Sequence, residues 1–368
     1  MLHNFSGSDG SLPVANLVFN VSGMLYGTTL QGGAAGGGGT VFELTPPSVA
    51  GGTWTQTVLY SFADGCNNQM EPYGAMVISS SGELFGTTYT SSGSNCQYFF
   101  ATGGTVFMLA PPKVPGGSWT EDTLFNFWPP GGMGVSPIAG IVYSGGSLFG
   151  TTYTDNPGAG PGCGSVYEVS PPATGGGVWT GTAIHEFGQT PGDGCGSEAA
   201  LTVGPGGVLY GTTNDGGSGL PCTYPPGLIS GCGTVFQLTP PTTPGGSWTE
   251  NVLYSFTATK GDGAYPTASV VIGENGVLYG TTQYGGSATA GSPCSYYGAS
   301  GCGTVFQLTP PTVPGGAWTE TILHSFTGQD GDGSVLIAGL KLSPSGTLYG
   351  TTSAGGNANK GTVFSVTP

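Results

Sequence analysis

The feature that most limits what this chain can become is a phrase it repeats. Leu25-Tyr26-Gly27-Thr28-Thr29 returns, with Phe for Tyr in two copies, at Leu84, Leu148, Leu209, Leu278 and Leu348. Each copy is followed by a Gly-(Thr/Ser)-Val-aromatic partner, beginning at Gly39, Gly104, Gly164, Gly233, Gly303 and Gly361. A period of roughly 60–70 residues belongs to arrays whose units bury their apolar faces on one another, rather than to two or three unlike domains.

One copy supplies four strands. Ala15–Phe19 is an apolar run ended by the Ser22-Gly23 turn, and Leu25–Thr29 is the second strand. The third, Thr40–Leu44, stops at Pro46-Pro47, because proline cannot donate to a ladder. The fourth, Trp54–Phe62, alternates Trp, Thr, Gln, Thr, Val, Leu, Tyr, Ser, Phe. No helical period of useful length occurs. Four antiparallel strands joined by short turns and repeated six times predict an all-β six-bladed β-propeller, in which radial sheets cover one another and leave only short edges. The blades are expected at about 13–62, 72–127, 136–187, 197–256, 266–326 and 335–368, within a single domain.

The ends of the chain fit this scheme. The last copy stops after its third strand, at Thr362–Thr367, while Met1-Leu2-His3-Asn4-Phe5 matches the end of a fourth strand such as Val58-Leu59-Tyr60-Ser61-Phe62. Residues 1–5 are therefore expected to complete the last blade and close the ring, or to pair with another molecule. The opening segment lacks the Trp that begins the other fourth strands, at Trp54, Trp119, Trp179, Trp248 and Trp318. That difference suggests Met1 replaces upstream sequence, a secretion signal included.

The Leu-Tyr-Gly-Thr-Thr, Gly-Thr-Val-Phe, Leu-Tyr-Ser-Phe and Asp-Gly phrases, recurring together at fixed offsets, resemble the bacterial tandem repeats called GloVer, the Gloeobacter/Verrucomicrobia type. The resemblance covers almost the whole chain. It implies secreted or surface-attached proteins and brings no activity to particular positions.

Composition narrows the partners. Only 6% of residues are charged, four are basic, and the net charge is -15. Nucleic acid and anionic membranes need clustered Lys or Arg, and there is no Arg at all. No run of about 18 apolar residues is present to span a membrane as a helix. Neutral ligands and cations remain. The 74 Gly and 29 Pro would suit a disordered chain, but they fall at fixed offsets between alternating runs, as turns do.

In an up-and-down blade, the second-to-third-strand link and the link to the next blade share one face, and all eight cysteines fall in those links. Cys66 and Cys195 lie between blades; Cys96, Cys163, Cys222, Cys232, Cys294 and Cys302 lie after second strands. An even count on one face points to disulfides made in an oxidising compartment. Separation makes Cys222–Cys232 and Cys294–Cys302 the local choices and leaves Cys66–Cys96 and Cys163–Cys195, although sequence does not fix the connectivity. The spacings are not those of a zinc site.

The same links carry aromatics outside the repeat: Tyr89, Tyr98, Phe99, Phe100, Tyr224, Tyr284, Tyr296 and Tyr297, with Trp128 where other links have Asp-Gly. Rings on pinned loops suit stacking against sugars, and the alternative is that they pack on each other. Asp9, Asp64, Asp193, Asp262 and Asp332 open the repeated Asp-Gly pairs. A ring of carboxylates could bind Ca²⁺, but repetition favours an Asx turn. His3, His185 and His324 share one fourth-strand position and cannot converge on one ion. Lys341 stands where other first strands carry Val or Thr, and is the weak candidate for a catalytic amine. Glu198 is a further polar departure near the start of its blade. The Thr pairs read as six equivalent structural positions.

These residues together predict an extracellular propeller that binds a neutral glycan or other uncharged ligand through aromatic residues on disulfide-pinned loops. A self-assembling surface or filament subunit is the structural alternative. A polysaccharide hydrolase or lyase rests on fold analogy alone.

Overall fold

The computed structural model describes residues 1–34, 37–63, 71–89, 103–114, 116–127, 133–154, 162–174, 177–219, 222, 230–243, 245–287, 294–296, 298–313 and 315–368. The architecture is that of a six-bladed β-propeller, with no α-helix among the described residues. Blade one orders Val18–Phe19, Leu25–Thr29, Thr40–Thr45 and Thr55–Ser61 as consecutive antiparallel neighbours, and blades two to five repeat that order. Blade six has three strands, Lys341–Leu342, Leu348–Thr352 and Thr362–Val366.

The first strand is shorter than the apolar run Ala15–Phe19 suggests, with only Val18 and Phe19 pairing. Later blades show why. The residues just before that strand serve the preceding blade: Thr87, Thr212 and Thr281 donate their hydroxyls to the carbonyls of Ala139, Ala268 and Ala338. The second Thr of each pair bonds the first residue of the third strand, as Thr213 does with Thr234 and Thr282 with Thr304, both at 2.8 Å between hydroxyls. The Thr pairs are thus structural in every blade where these bonds recur.

Glycine in the repeated phrase is fixed by close approach. A Cβ on Gly280 would lie 2.4 Å from Cζ of Phe306, and one on Gly211 at the same distance from Phe236. That third-strand ring in turn receives the Phe that ends the preceding fourth strand, Phe256 on Phe306 and Phe187 on Phe236, at 5.1 and 5.2 Å between centroids. The repeat therefore encodes a chain of edge-to-face pairs.

Two compact units are distinguished by their internal contacts. Unit one comprises 1–156 and 166–183, and unit two 157–165 and 184–368. Unit one packs Tyr26, Val41, Phe62, Met76, Leu84, Phe107 and Leu109 into one cluster, with Trp119 closing it, and Phe85, Phe127, Ile141, Leu148 and Tyr167 into another. Unit two has a cluster around Val235, Phe256, Tyr265, Leu278 and Phe306, and one around Val305, Phe326, Leu336 and Leu348.

Residues 1–5, expected to complete blade six, form no strand among the described sheets. Phe5 does pack on Phe42 at 5.0 Å, as fourth-strand Phe residues do elsewhere. Among the described residues the third strand of blade six pairs on one side only, and Val363 is 82% exposed where Val41, Val106, Val166, Val235 and Val305 are fully buried.

Candidate functional site

Three disulfides brace unit two: Cys163–Cys195, Cys222–Cys232 and Cys294–Cys302. The last two are the local choices that sequence separation favours and Cys163–Cys195 is one of the two pairs left over; Cys66 and Cys96 lie outside the described residues. So do Trp128, Tyr98, Phe99, Phe100, Tyr224, Tyr297 and Asp64. Tyr89 is half-buried and its N–H donates to the Glu71 carbonyl.

Of the loop aromatics, the structure brings Tyr284 and Tyr296 together. Their rings stack at 4.9 Å and 9° between planes, and buried Tyr265 meets both edge-on. Tyr296 belongs to a two-residue ladder, Ser295–Tyr296 with Ala299–Ser300, closed by Cys294–Cys302. The packing alternative therefore holds for one face of the pair, while Tyr296 keeps 36% of its surface exposed.

The repeated aspartates are turn acceptors. Asp193 takes N–H bonds from Gly188, Gln189 and Gly194 at 2.8, 3.3 and 2.7 Å. Asp262 takes Thr257 N–H and hydroxyl at 2.7 and 2.6 Å, Asp332 takes Thr327 and Gly333 N–H at 2.8 Å, and Asp9 takes Ser6 N–H at 2.7 Å. The histidines do not converge. Each meets the aspartate of the link that follows it: His3 with Asp9 at 2.8 Å, His185 with Asp193 at 3.4 Å, and His324 with Asp332 at 3.5 Å.

Sequence reasoning missed a third member of this arrangement, a Glu from the fourth strand of the next blade. Glu250 Oε1 approaches His185 Nε2 at 4.0 Å. His185, Asp193 and Glu250 each offer one ligand atom, all within 4.8 Å of one another, and so form a cluster able to hold a metal ion. One imidazole nitrogen with two carboxylate oxygens suits Zn²⁺-type coordination better than the all-oxygen preference of Ca²⁺. Burial pushes the Glu250 carboxyl up, His185 opposes this, and Asp193 adds to it.

The counterpart one blade further on has Tyr254 in place of histidine. Its hydroxyl donates to Glu320 Oε2 at 3.2 Å, and Glu320 also interacts side chain to side chain with Asp262. Glu320 Oε1 and Asp262 Oδ1 are both buried and accept no hydrogen bond. Burial first, then the Asp262 charge, raises Glu320 to about 8. A shared proton accounts for both orphaned oxygens. This pair lines a pocket of about 500 Å³ with Tyr254, Thr257, Thr259, Lys260, Ser287 and Ser325, a wall of hydroxyls and carboxyls around Ile322. The signal in the sequence was Trp-Thr-Glu, present at Glu121, Glu250 and Glu320.

Lys341 is exposed, in the first strand of blade six opposite Tyr349. Exposure removes the apolar setting that a catalytic amine uses. Glu198 is half-buried and accepts Asn214 Nδ2 at 3.1 Å. Its neighbour Asp215 is pushed up to about 7 by burial and by the Glu198 charge.

Repeated blades with disulfide-braced links on one unit define a propeller of the repeat-array class. The chain belongs to the Gloeobacter/Verrucomicrobia repeat family, whose model matches residues 50–294. No curated protein matches it. Among solved structures it is similar to the calcium structure of a Trichoderma reesei carbohydrate-active enzyme of family AA12, at 13% identity and TM-score 0.46, covering 99% of this chain and 94% of that one. It is also similar to the Hadza microbial sialidase Hz136, at 13% identity and TM-score 0.49, covering 96% and 65%. A third is the inulosucrase of Halalkalicoccus jeotgali bound to kestose, at 13% and 0.41, covering 86% and 85%. Likeness at this level extends to neither ligand nor activity. No helix of the described residues is long and apolar enough to cross a membrane.

Proposed function

We propose that the protein is an extracellular binding module for a neutral carbohydrate. The observation that carries this reading is Tyr296, an exposed ring stacked on Tyr284, backed by Tyr265 and set on a disulfide-closed hairpin. Such a ring is held before the ligand arrives, so little rotamer entropy is lost on binding, and its flat face matches the C–H face of a sugar. The hydroxyl- and carboxyl-lined pocket fits the same class, since each of those groups can bond a sugar hydroxyl. Scarce basic residues weigh against anionic polymers. Affinity electrophoresis against a panel of neutral polysaccharides tests the idea. Tyr296→Ala should weaken the retained ligand about tenfold, consistent with roughly 1 kcal/mol of stacking plus lost area, and Tyr296→Phe should not. Absence of retention across the panel, or retention indifferent to Tyr296→Ala, would refute it.

A second reading, a self-assembling surface subunit, is favoured by the open edge at Thr362–Val366. An unpaired strand whose Val363 is exposed is a template for another chain. The segment Leu2-His3-Asn4-Phe5 of a second copy has the fourth-strand pattern that this edge lacks. Light scattering over a hundredfold concentration range checks it: growth in mass supports assembly, and a constant monomer mass rejects it.

A further inference from the structure

Blade four departs from the repeat at two positions, on segments that pair with each other and are joined by the Asn214–Glu198 hydrogen bond. Asp215 pairs with Cys195 in the short ladder Gly194–Cys195 with Asp215–Gly216. The equivalent ladder positions in other blades hold Gln31, Thr154, Tyr284 and Ala354. Glu198, three residues beyond Cys195, stands where the other blades have Tyr73, Ile138, Thr267 and Ile337. Neither site carries an acid elsewhere.

What surrounds these two acids is unusual. Asp215 is only 6% exposed, its Oδ1 is fully buried, and its side chain accepts no hydrogen bond among the described residues. Asn214, next to it, donates to Glu198 Oε1 at 3.1 Å, yet its own Oδ1 is buried and accepts nothing. No Lys or His among the described residues forms an ion pair with either carboxylate. A buried acid and an amide oxygen without donors, beside a second, half-buried carboxylate, cost several kcal/mol unless something positive satisfies them. A proton shared by the two carboxyls would leave Asn214 Oδ1 orphaned. A cation satisfies all three.

The frame is rigid enough to hold such a site. Cys163–Cys195 pins one segment, Asn214 N–H donates to Gly196 O at 2.9 Å, and Ser197 hydroxyl donates to Thr212 O at 2.9 Å. Residues 195–198 and 212–215 are thereby fixed against each other independently of the acids.

We propose that Glu198, Asn214 and Asp215 form a binding site for a hard divalent cation, Ca²⁺. The donors are all oxygen, which excludes a preference for Zn²⁺, and the half-buried Glu198 leaves room for water in the remaining positions. Ca²⁺ accepts six to eight oxygens in irregular geometry, whereas Mg²⁺ demands a near-ideal octahedron. None of its residues belongs to the His185, Asp193 and Glu250 cluster, whose imidazole would suit a different metal.

The full chain, stripped with EDTA, is titrated with CaCl₂ by calorimetry, and thermal unfolding is followed with and without 10 mM Ca²⁺. Wild type should bind Ca²⁺ with a dissociation constant on the order of 10⁻⁴–10⁻³ M, as extracellular sites do, and melt at higher temperature in its presence. Asp215→Asn and Glu198→Gln should each lose at least tenfold in affinity and most of the Tm shift, while melting in EDTA at or above the wild-type temperature. His185→Gln should leave the Ca²⁺ response intact. Absence of Ca²⁺ heat and Tm shift in wild type overturns the proposal, as does a response that survives Asp215→Asn and Glu198→Gln.

Discussion

Replacing Glu320 by Gln should change how stability depends on pH far more than it changes stability in acid. In the native protein Glu320 and Asp262 interact side chain to side chain in the pocket lining, with Tyr254 donating to Glu320 and Lys260 on the same wall. Glu320 is raised from 4.5 to about 8. Below about pH 4.5 both folded and unfolded chains carry the proton and the group is neutral toward stability. Between 4.5 and 8 the unfolded chain releases the proton and the folded one retains it, so stability falls as pH rises, by at most about 1.4 kcal/mol per unit. Above 8 the slope ends and the full penalty remains. The whole shift would convert to about 5 kcal/mol at 1.36 kcal/mol per unit. Glu320 keeps part of its surface in water, so screening leaves about 2–3 kcal/mol. Gln donates an N–H to Asp262 in place of the shared proton at any pH. Urea unfolding of both proteins at pH 5 and 8.5 is the assay. The variant should match wild type within about 0.5 kcal/mol at pH 5 and exceed it by about 2 kcal/mol at pH 8.5. An equal difference at both values, of either sign, would refute the shared proton.

Asp193→Ala strands the part-buried N–H groups of Gly188 and Gln189 and the buried N–H of Gly194 and should cost about 1–3 kcal/mol in a urea melt, with Asp193→Asn losing less. Breaking Cys163–Cys195, which spans 32 residues, by a double change to Ala should cost about 3–4 kcal/mol, against about 2–3 for Cys294–Cys302, which spans 8. Chemical denaturation of the two double variants gives the order directly. Gly280→Ala drives a methyl into the Phe306 ring, itself clamped by Phe256, and should lower stability by about 1–3 kcal/mol, readable as a drop in Tm.

The repeat made the fold legible because each element of it serves a local need. Pro46-Pro47 ends a strand, Gly280 clears a ring, Thr282 bonds Thr304, and Asp332 ties its own turn. Two disulfides, Cys222–Cys232 and Cys294–Cys302, followed from separation because their short loops bring the partners within reach, and Cys163–Cys195 was one of the two pairs then left over. What joins one blade to the next was harder to see. Tyr254 and Glu320 are 66 residues apart, and Trp-Thr-Glu looks like ordinary strand alternation until the fold places its Glu over the preceding link. The histidines were correctly separated from one another, yet their partner aspartates six to eight residues on went unnoticed, because an Asx turn already explained each Asp.

A chain built from near-copies supplies its own control for each position. When several blades place Gln, Thr, Tyr and Ala at one ladder position, that position evidently tolerates many side chains, and no demand of the fold explains an acid there. Asp215 is such an acid, buried and without a donor, and Glu198 beside it is a half-buried second whose one donor is Asn214. The contrast with Asp193 is instructive, for that acid is more deeply buried still but receives three backbone N–H bonds and recurs in other blades. Burial alone therefore does not mark a site. Burial without a donor, at a position where the other blades carry no acid, is what separates a ligand-binding carboxylate from a turn.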